Sequence, residues 1–206
     1  MKKRLISVLV IFLLPLFVLA QQRVIVDTDI DSDVDDAGTL AMLYTLHKQH
    51  KINLLGTIVT SDDPFAATCV SAFNAYYGMR KLPLGFLEGQ SMLKNHSRYT
   101  RQISEEFPHD LASWNEAETA TNTYRKLLAG SPDHSVIILT IGHLSSLQKL
   151  LQSPADRYSP LNGKQLVEAK VKKWYCMGWL FPPIIKNRFI YCCFLTSYIF
   201  IAILVP

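Results

Sequence analysis

The chain has 206 residues, of which 49% are hydrophobic and 18% charged, and its formal net charge is +4 at pH 7. This length suits a single domain with a sizeable core. No basic stripe interleaved with aromatic residues occurs in the middle of the chain, which argues against a nucleic-acid partner.

The first twenty residues have the pattern of a targeting segment. Basic residues occupy positions 2–4, an apolar stretch covers 5–19, and the small residues Val18 and Ala20 precede Gln21. This pattern predicts a signal peptide over residues 1–20, cleaved after Ala20, and an exported protein that is periplasmic or secreted. The alternative is an N-terminal membrane anchor, but the stretch is short for a span.

Beyond residue 20, predicted strands and helices alternate. Apolar runs predict strands, and these lie at residues 23–30, 52–60, 135–141 and 173–177. Apolar residues at helical spacing predict helices, and these lie at residues 37–50, 65–77, 116–129, 144–151 and 163–171. Residues 85–116 are polar, and we predict a long irregular segment there.

This alternation predicts an α/β fold. We expect an open, mostly parallel, Rossmann-like sheet with helices on both faces, incomplete at its C-terminus. Ligands of such sheets bind at the carboxyl ends of the strands.

Six aspartates lie within the ten residues 27–36, at the end of the first predicted strand. Carboxylates packed so closely repel one another, and folding them together is unfavourable unless a cation offsets their charge. Calcium accepts six to eight oxygen ligands in flexible geometry. The positive end of the following helix points at the same loop. The pattern therefore predicts a Ca²⁺ site.

Two other interpretations of this loop are weaker. A solvated acidic loop is disfavoured because the run lies between an apolar strand and an amphipathic helix. An EF-hand counted from Asp27 has Ser32 in place of glycine at position 6 and Gly38 in place of glutamate at position 12. A strand also precedes this loop, where an EF-hand has a helix.

The aspartate segment resembles the signature of a known family, the inosine-uridine preferring nucleoside hydrolases. That signature is a strand ending in Asp-x-Asp, a short turn, and Asp-Asp-Ala opening a helix, as at 26–29 and 35–37 here. The likeness continues at residues 55–57, 74–78, 140–144 and 177–178. It covers roughly residues 23–180.

The resemblance implies hydrolysis of the N-glycosidic bond between ribose and a base, with a nucleoside as the small-molecule partner. Asp35 matches the general base that removes a proton from the attacking water. Asp29 and Asp36 match ligands of the calcium ion. The turn between Asp29 and Asp35 is two residues longer than in the best-known members, so Asp33 competes with Asp29 as a ligand.

Three further positions match the family's site or depart from it. The backbone carbonyl of Ile141 matches another calcium ligand. Asp62 or Asp63 lies where the family places an asparagine that contacts the sugar hydroxyls. His143 replaces a proline, and a lone histidine beside a strand end is typical of a structural role.

The likeness fades after residue 178, and residues 189–206 carry no charge. We therefore expect a signal peptide at 1–20, the N-terminal part of a hydrolase-like domain at 21–180, and an aberrant or membrane-anchoring tail at 181–206. A truncation or frame shift of this kind is expected to impair activity. The alternatives are a non-catalytic pseudoenzyme that binds calcium or ribose, and a membrane-anchored surface protein. A homo-oligomer is compatible with each of these.

Overall fold

The structure is a computed structural model that describes residues 21–31, 33–89 and 97–177, with the backbone of 191–195 and 199–203. The predicted signal peptide lies outside the described residues. The predicted tail also lies outside them, apart from that backbone. Within the described part of the chain, no helix is long and apolar enough to cross a membrane.

Strands and helices alternate along the described chain. In order, they are β1 (Gln22–Thr28), α1 (Asp35–Lys48), β2 (Ile52–Val59), α2 (Ala66–Tyr76), β3 (Leu84–Phe86), α3 (Tyr99–Glu106), a 3-10 helix (Trp114–Glu116), β4 (Glu118–Thr119), α4 (Ala120–Ala129), β5 (Val136–Thr140), α5 (Ser145–Gln152), α6 (Gly163–Lys170) and β6 (Val171–Cys176). The predicted α/β fold is confirmed.

These six strands form an open sheet in the order β4-β3-β2-β1-β5-β6, and all neighbouring pairs are parallel. Two strands, β7 (Tyr191–Leu195) and β8 (Ile199–Ile203), extend it beyond β6 in antiparallel fashion. From β1 the chain builds the sheet in one direction through β2, β3 and β4, and then returns to β5 on the other side of β1. Strand order therefore reverses between β1 and β5, and ligands of open α/β sheets bind at this kind of switch point.

The side chains of β1 alternate between two hydrophobic layers. Val24 and Val26 face the layer that includes residues of α1 and α2, whereas Ile25 faces the layer that includes residues of α4, α5 and α6. Successive strand side chains point to opposite faces, so a continuous apolar run indicates a strand covered on both sides. This covering holds β1 rigidly in the centre of the sheet.

The prediction of an irregular segment at residues 85–116 was wrong for much of that segment. It contains α3 and the 3-10 helix and overlaps β3, and β4 follows it. The buried side chains of α3 are the polar residues Thr100 and Ser104, and its apolar residues Tyr99 and Ile103 are only partly buried. Strands β3 and β4 have three and two residues, which is too short for a periodic pattern.

Arg125 of α4 anchors the loop that leads into α6. Its side chain is 1% exposed, and Nε lies 2.8 Å from Oδ2 of Asp156. The guanidinium also donates to Oγ of Ser153 at 2.9 Å and to the carbonyl of Leu161 at 2.9 Å. The loop is therefore fixed by a buried charge with several partners.

We predict that Arg125→Met destabilises the fold by about 3–5 kcal/mol, because the substitution leaves buried acceptors without a donor. The control is Arg101→Met, which removes an exposed pair with Glu105 and should change stability by less than about 1 kcal/mol. Urea unfolding of both variants measures the difference. Equal, small effects of the two substitutions would contradict the structural role of Arg125.

Candidate functional site

The aspartate loop lies where three strands end. The amide of Ile141, just after β5, donates to the carbonyl of Asp27 at 2.8 Å. The amide of Thr60, just after β2, donates to the carbonyl of Thr28 at 2.8 Å. These bonds continue the sheet past its regular ends. They fix the start of the loop at the switch point between β1 and β5.

Three carboxylates of the loop converge. Asp33, Asp35 and Asp36 each offer an oxygen atom, and these atoms lie within 4.8 Å of one another. Asp36 is buried, whereas Asp33 and Asp35 are exposed. Asp29 is half-buried, and its carboxyl interacts with that of Asp36. The loop therefore presents a group of oxygen donors that is buried at Asp36 and exposed to solvent at Asp33 and Asp35.

The position of Asp36 is set by its neighbours. The hydroxyl of Thr28 donates a hydrogen bond to Asp36 Oδ1, and the amide of Asp36 donates to Oδ1 of Asp35 at 2.9 Å. Helix α1 begins at Asp35, and Val34 at its N-cap provides no side-chain cap. The N-terminal amides of the helix place a partial positive charge beside these carboxylates, which favours their ionised forms.

Crowding and burial nevertheless favour protonation of this group. Burial and, to a smaller extent, the nearby carboxylates raise the pKa of Asp36 to about 8, against the opposing effect of the hydrogen bond from Thr28. Burial also raises the pKa of Asp29. The pKa of Asp35 is raised chiefly by its hydrogen bond with Asp33. A divalent cation offsets this charge, because it stabilises the ionised carboxylates.

A buried polar network lies beneath the loop. Asp27 is fully buried, and it accepts hydrogen bonds from the hydroxyls of Thr60 at 2.6 Å and Tyr124 at 2.7 Å. Oγ of Ser146 lies 2.5 Å from the hydroxyl of Thr60. Burial raises the pKa of Asp27 to about 7. The network ties β1 and the residue after β2 to α4 and α5. Sequence reasoning missed Tyr124 and Ser146 because neither belongs to a recognisable motif.

Gly142 gives the loop its close contact with the residues after β5. A Cβ atom at this position would lie 2.4 Å from Cγ of Asp29 and 2.5 Å from its amide nitrogen. Only a residue without a side chain lets the two segments approach so closely. The contact brings residues 141–143 beside the carboxylates.

His143 lies at the same edge. Its Nδ1 is 3.1 Å from Oδ2 of Asp29, and its side chain is 75% exposed. The imidazole lowers the pKa of Asp29 and thereby opposes part of the effect of burial. Sequence reasoning assigned this residue a structural role, but in the structure it contacts a predicted metal ligand.

Two other aspartates hold α3 against the strand ends. Asp63 is fully buried and accepts hydrogen bonds from the hydroxyls of Ser97 and Thr100, the latter at 2.5 Å. Oδ1 of Asp31 accepts from the amide of Arg98 at 3.0 Å and from Thr100 at 3.1 Å. Asp63, predicted as a possible contact of the sugar hydroxyls, and Asp31 of the aspartate loop therefore anchor the start of this helix.

The structure thus places the predicted site residues in two groups. Asp29, Asp33, Asp35 and Asp36 lie together, and Ile141 lies at the adjoining strand end. Asp62 and Asp63 follow β2, where Asp62 is half-buried and Asp63 is held by α3. Their catalytic, metal-binding and substrate-binding roles remain predictions.

The donor set fits a hard divalent cation. Carboxylate oxygens are the ligands that calcium prefers, and calcium tolerates an irregular arrangement of them. The close contact of Gly142 with Asp29 also keeps the space beside that carboxylate free of a side chain. Asp36, with either Asp29 or Asp33, is therefore suited to hold the ion.

No protein-family model and no curated protein sequence matches the chain. Its structure is similar to that of the type III effector XopQ complexed with adenosine diphosphate ribose, at 18% identity and a TM-score of 0.58, over 79% of this chain and 44% of that one. It is also similar to the effector protein XOO4466, at 18% identity and a TM-score of 0.59, over 79% and 45%.

A plant nucleoside hydrolase, PpNRh1, matches at 14% identity and a TM-score of 0.48, over 73% of this chain and 46% of that one. The chain spans less than half the length of each of these three proteins. At such identities, the likeness to the two effectors shows a shared fold.

We predict that Gly142→Ala lowers calcium affinity at least tenfold, because the added methyl group displaces Asp29. Gly38→Ala is the control, since a Cβ at Gly38 meets nothing within 4 Å. Gly38 lies in α1, so its replacement should stabilise the helix by up to about 1 kcal/mol and leave calcium affinity within about twofold. Isothermal titration calorimetry measures both affinities. Unchanged calcium binding in Gly142→Ala would show that Asp29 is not a ligand.

We also predict that calcium binding strengthens with pH. A folded pKa of about 8 for Asp36 exceeds the unfolded value of about 3.9. The protonated carboxyl of Asp36 therefore contributes its full free energy of stabilisation below pH 4, and this contribution is lost as the pH rises through 8. Calcium requires the ionised form, so affinity should fall about tenfold per pH unit below 8 for each proton displaced.

The melting-temperature rise caused by calcium should accordingly be small at pH 5.5 and much larger at pH 8.5. Differential scanning calorimetry across this range measures it. In Asp36→Asn the rise in melting temperature caused by calcium should depend much less on pH. A calcium effect that is independent of pH would mean that Asp36 does not exchange its proton for the ion.

Proposed function

We propose that the chain is a calcium-dependent nucleoside hydrolase that cleaves the N-glycosidic bond between ribose and a base. The observation that carries this proposal is the convergence of Asp33, Asp35 and Asp36 within 4.8 Å at the carboxyl end of β1. The residues that converge belong to the segment that resembles the family signature.

Each carboxylate has a distinct part in the proposed reaction. Asp36, buried and fixed by Thr28, holds the ion together with Asp29 or Asp33, and the carbonyl of Ile141 adds a further oxygen. When bound, a divalent cation lowers the pKa of a coordinated water and so supplies a nucleophile at neutral pH.

Asp35 is the proposed general base. It is exposed and therefore accessible to water and substrate. Its raised pKa brings its proton affinity closer to that suited to a base at neutral pH. The ionised carboxylates around it stabilise the positive charge that develops on the ribosyl ring in the transition state.

The fold comparison supports a nucleoside-related ligand. XopQ, which has the same fold, was solved with adenosine diphosphate ribose. This ligand contains a ribose joined to adenine by an N-glycosidic bond. The switch point between β1 and β5 is also where sheets of this kind bind their ligands. The proposed partner is accordingly a small nucleoside, and the proposed location is outside the cytoplasm.

A second candidate function is calcium-dependent binding of ribose or nucleoside without turnover. This candidate is favoured by the hydrogen bonds of Asp63, because its two carboxyl oxygens already accept from Ser97 and Thr100. If Asp62 and Asp63 leave the sugar hydroxyls without firm contacts, the ribose is held less rigidly, and catalysis depends strongly on such positioning.

The test compares four proteins: the wild-type chain, Asp35→Asn, Asp36→Ala and the control Asp133→Asn. Asp133 is exposed and pairs with Lys170, far along the chain from the loop. We expect the wild type and the control to release free base from inosine or uridine at the same low rate. Asp35→Asn should lower kcat by about 10²–10⁴-fold and leave calcium affinity within about threefold. Asp36→Ala should lower that affinity at least tenfold.

The outcomes separate the two candidates. Calcium-dependent nucleoside binding without base release by the wild type supports the binding protein. Equal calcium affinity in the wild type and Asp36→Ala contradicts both, because each candidate requires the ion to be held by that carboxylate.

A further inference from the structure

His143 is a basic side chain in contact with Asp29, one of the aspartates of the loop. It follows Gly142, whose backbone packs against Asp29. The position of His143 is therefore fixed by the same close approach that completes the site. A nitrogen donor thus joins a group of oxygen donors.

The contact between His143 and Asp29 brings a ring nitrogen close to a carboxylate oxygen. Nδ1 of His143 lies 3.1 Å from Oδ2 of Asp29. The two side chains form an ion pair when the imidazole is protonated, and the imidazole lowers the pKa of Asp29. The ring nitrogen and the carboxylate oxygen thus lie side by side at the strand ends.

This spacing suits two ligands of one cation. Donors at right angles to each other, each about 2.1 Å from an ion, are about 3.0 Å apart. Asp29 also interacts with the carboxyl of Asp36, so it links the histidine to the converging group. A structural histidine, by contrast, is usually packed and hydrogen-bonded, whereas this side chain is 75% exposed and free to adjust its ring.

We propose that His143 supplies an imidazole nitrogen to the cation site and that the site consequently accepts a first-row transition metal. The inference rests on the proposed metal site and concerns which ions it prefers. Carboxylates alone suit calcium, magnesium and manganese, whereas imidazole favours ions from manganese to zinc. A mixed nitrogen and oxygen set binds Mn²⁺ or Co²⁺ more tightly than calcium.

The test uses Mn²⁺ alone as the probe, with the full-length wild type, His143→Asn and the control His134→Asn. His134 is exposed and has a φ of 48°, a conformation that asparagine adopts readily.

Pulsed electron paramagnetic resonance of the Mn²⁺ complex detects a ligating ¹⁴N nucleus. We expect this coupling in the wild type and in His134→Asn, and its loss in His143→Asn. Calorimetry should show that His143→Asn weakens Mn²⁺ binding about tenfold or more, while calcium affinity stays within about threefold.

The outcomes distinguish this inference from the function on which it rests. Mn²⁺ bound without nitrogen coupling in the wild type, or with coupling that persists in His143→Asn, overturns the role of His143 and leaves the calcium-dependent function standing. Failure of the wild type to bind either Mn²⁺ or Ca²⁺ overturns both. Circular dichroism and melting temperature verify that the exposed substitutions leave the fold intact.

Discussion

Electrostatic repulsion among carboxylates at the end of β1 is the constraint on which this site depends. Six aspartates within ten residues would separate in a flexible chain, where solvent can screen each charge. The folded protein holds them together through the hydrogen bond from Thr28, the N-terminus of α1 and the buried contacts of Asp27. The raised pKa values of Asp29, Asp35 and Asp36 reflect the free-energy cost of holding these carboxylates ionised in a crowded, partly buried place.

The six carboxylates do not have equal roles. Asp27 accepts hydrogen bonds from Thr60 and Tyr124 inside the domain, and Asp31 receives the amide of Arg98 at the start of α3. These two residues serve the architecture. The remaining four lie at the strand ends and form the proposed cation site. The acidic segment thus contains two residues that stabilise the fold and four that form the proposed ligand group.

The topology of the sheet explains why the site forms at this place. Strand order reverses between β1 and β5, so their carboxyl ends border a crevice and do not both lead into helices on the same side. Gly142 lets the residues after β5 reach Asp29. His143 then stands beside carboxylates that lie more than a hundred residues earlier in the chain. The combination of nitrogen and oxygen donors is therefore a product of chain topology.

The fold class could be predicted from the sequence because strong local patterns carried it. The apolar runs that predict β1, β2, β5 and β6 are long enough to show their period, and the helices predicted between them have apolar residues at helical spacing. The aspartate loop could also be predicted as a ligand group, since its residues are adjacent in the chain and their charges repel. Helix α3 escaped prediction because it has only eight residues and its fully buried side chains, Thr100 and Ser104, are polar.

Only the tertiary structure decided which carboxylates converge and which are engaged elsewhere. Asp31 and Asp33 look alike in the sequence, yet one anchors α3 and the other joins Asp35 and Asp36. The assignment depends on partners far along the chain, such as Thr100, and no local pattern encodes them. The same holds for Tyr124 beneath the loop and for His143 beside it. The sequence by itself determined the longer strands and helices and the charge of the loop, whereas long-range packing determined the partner of each charged group.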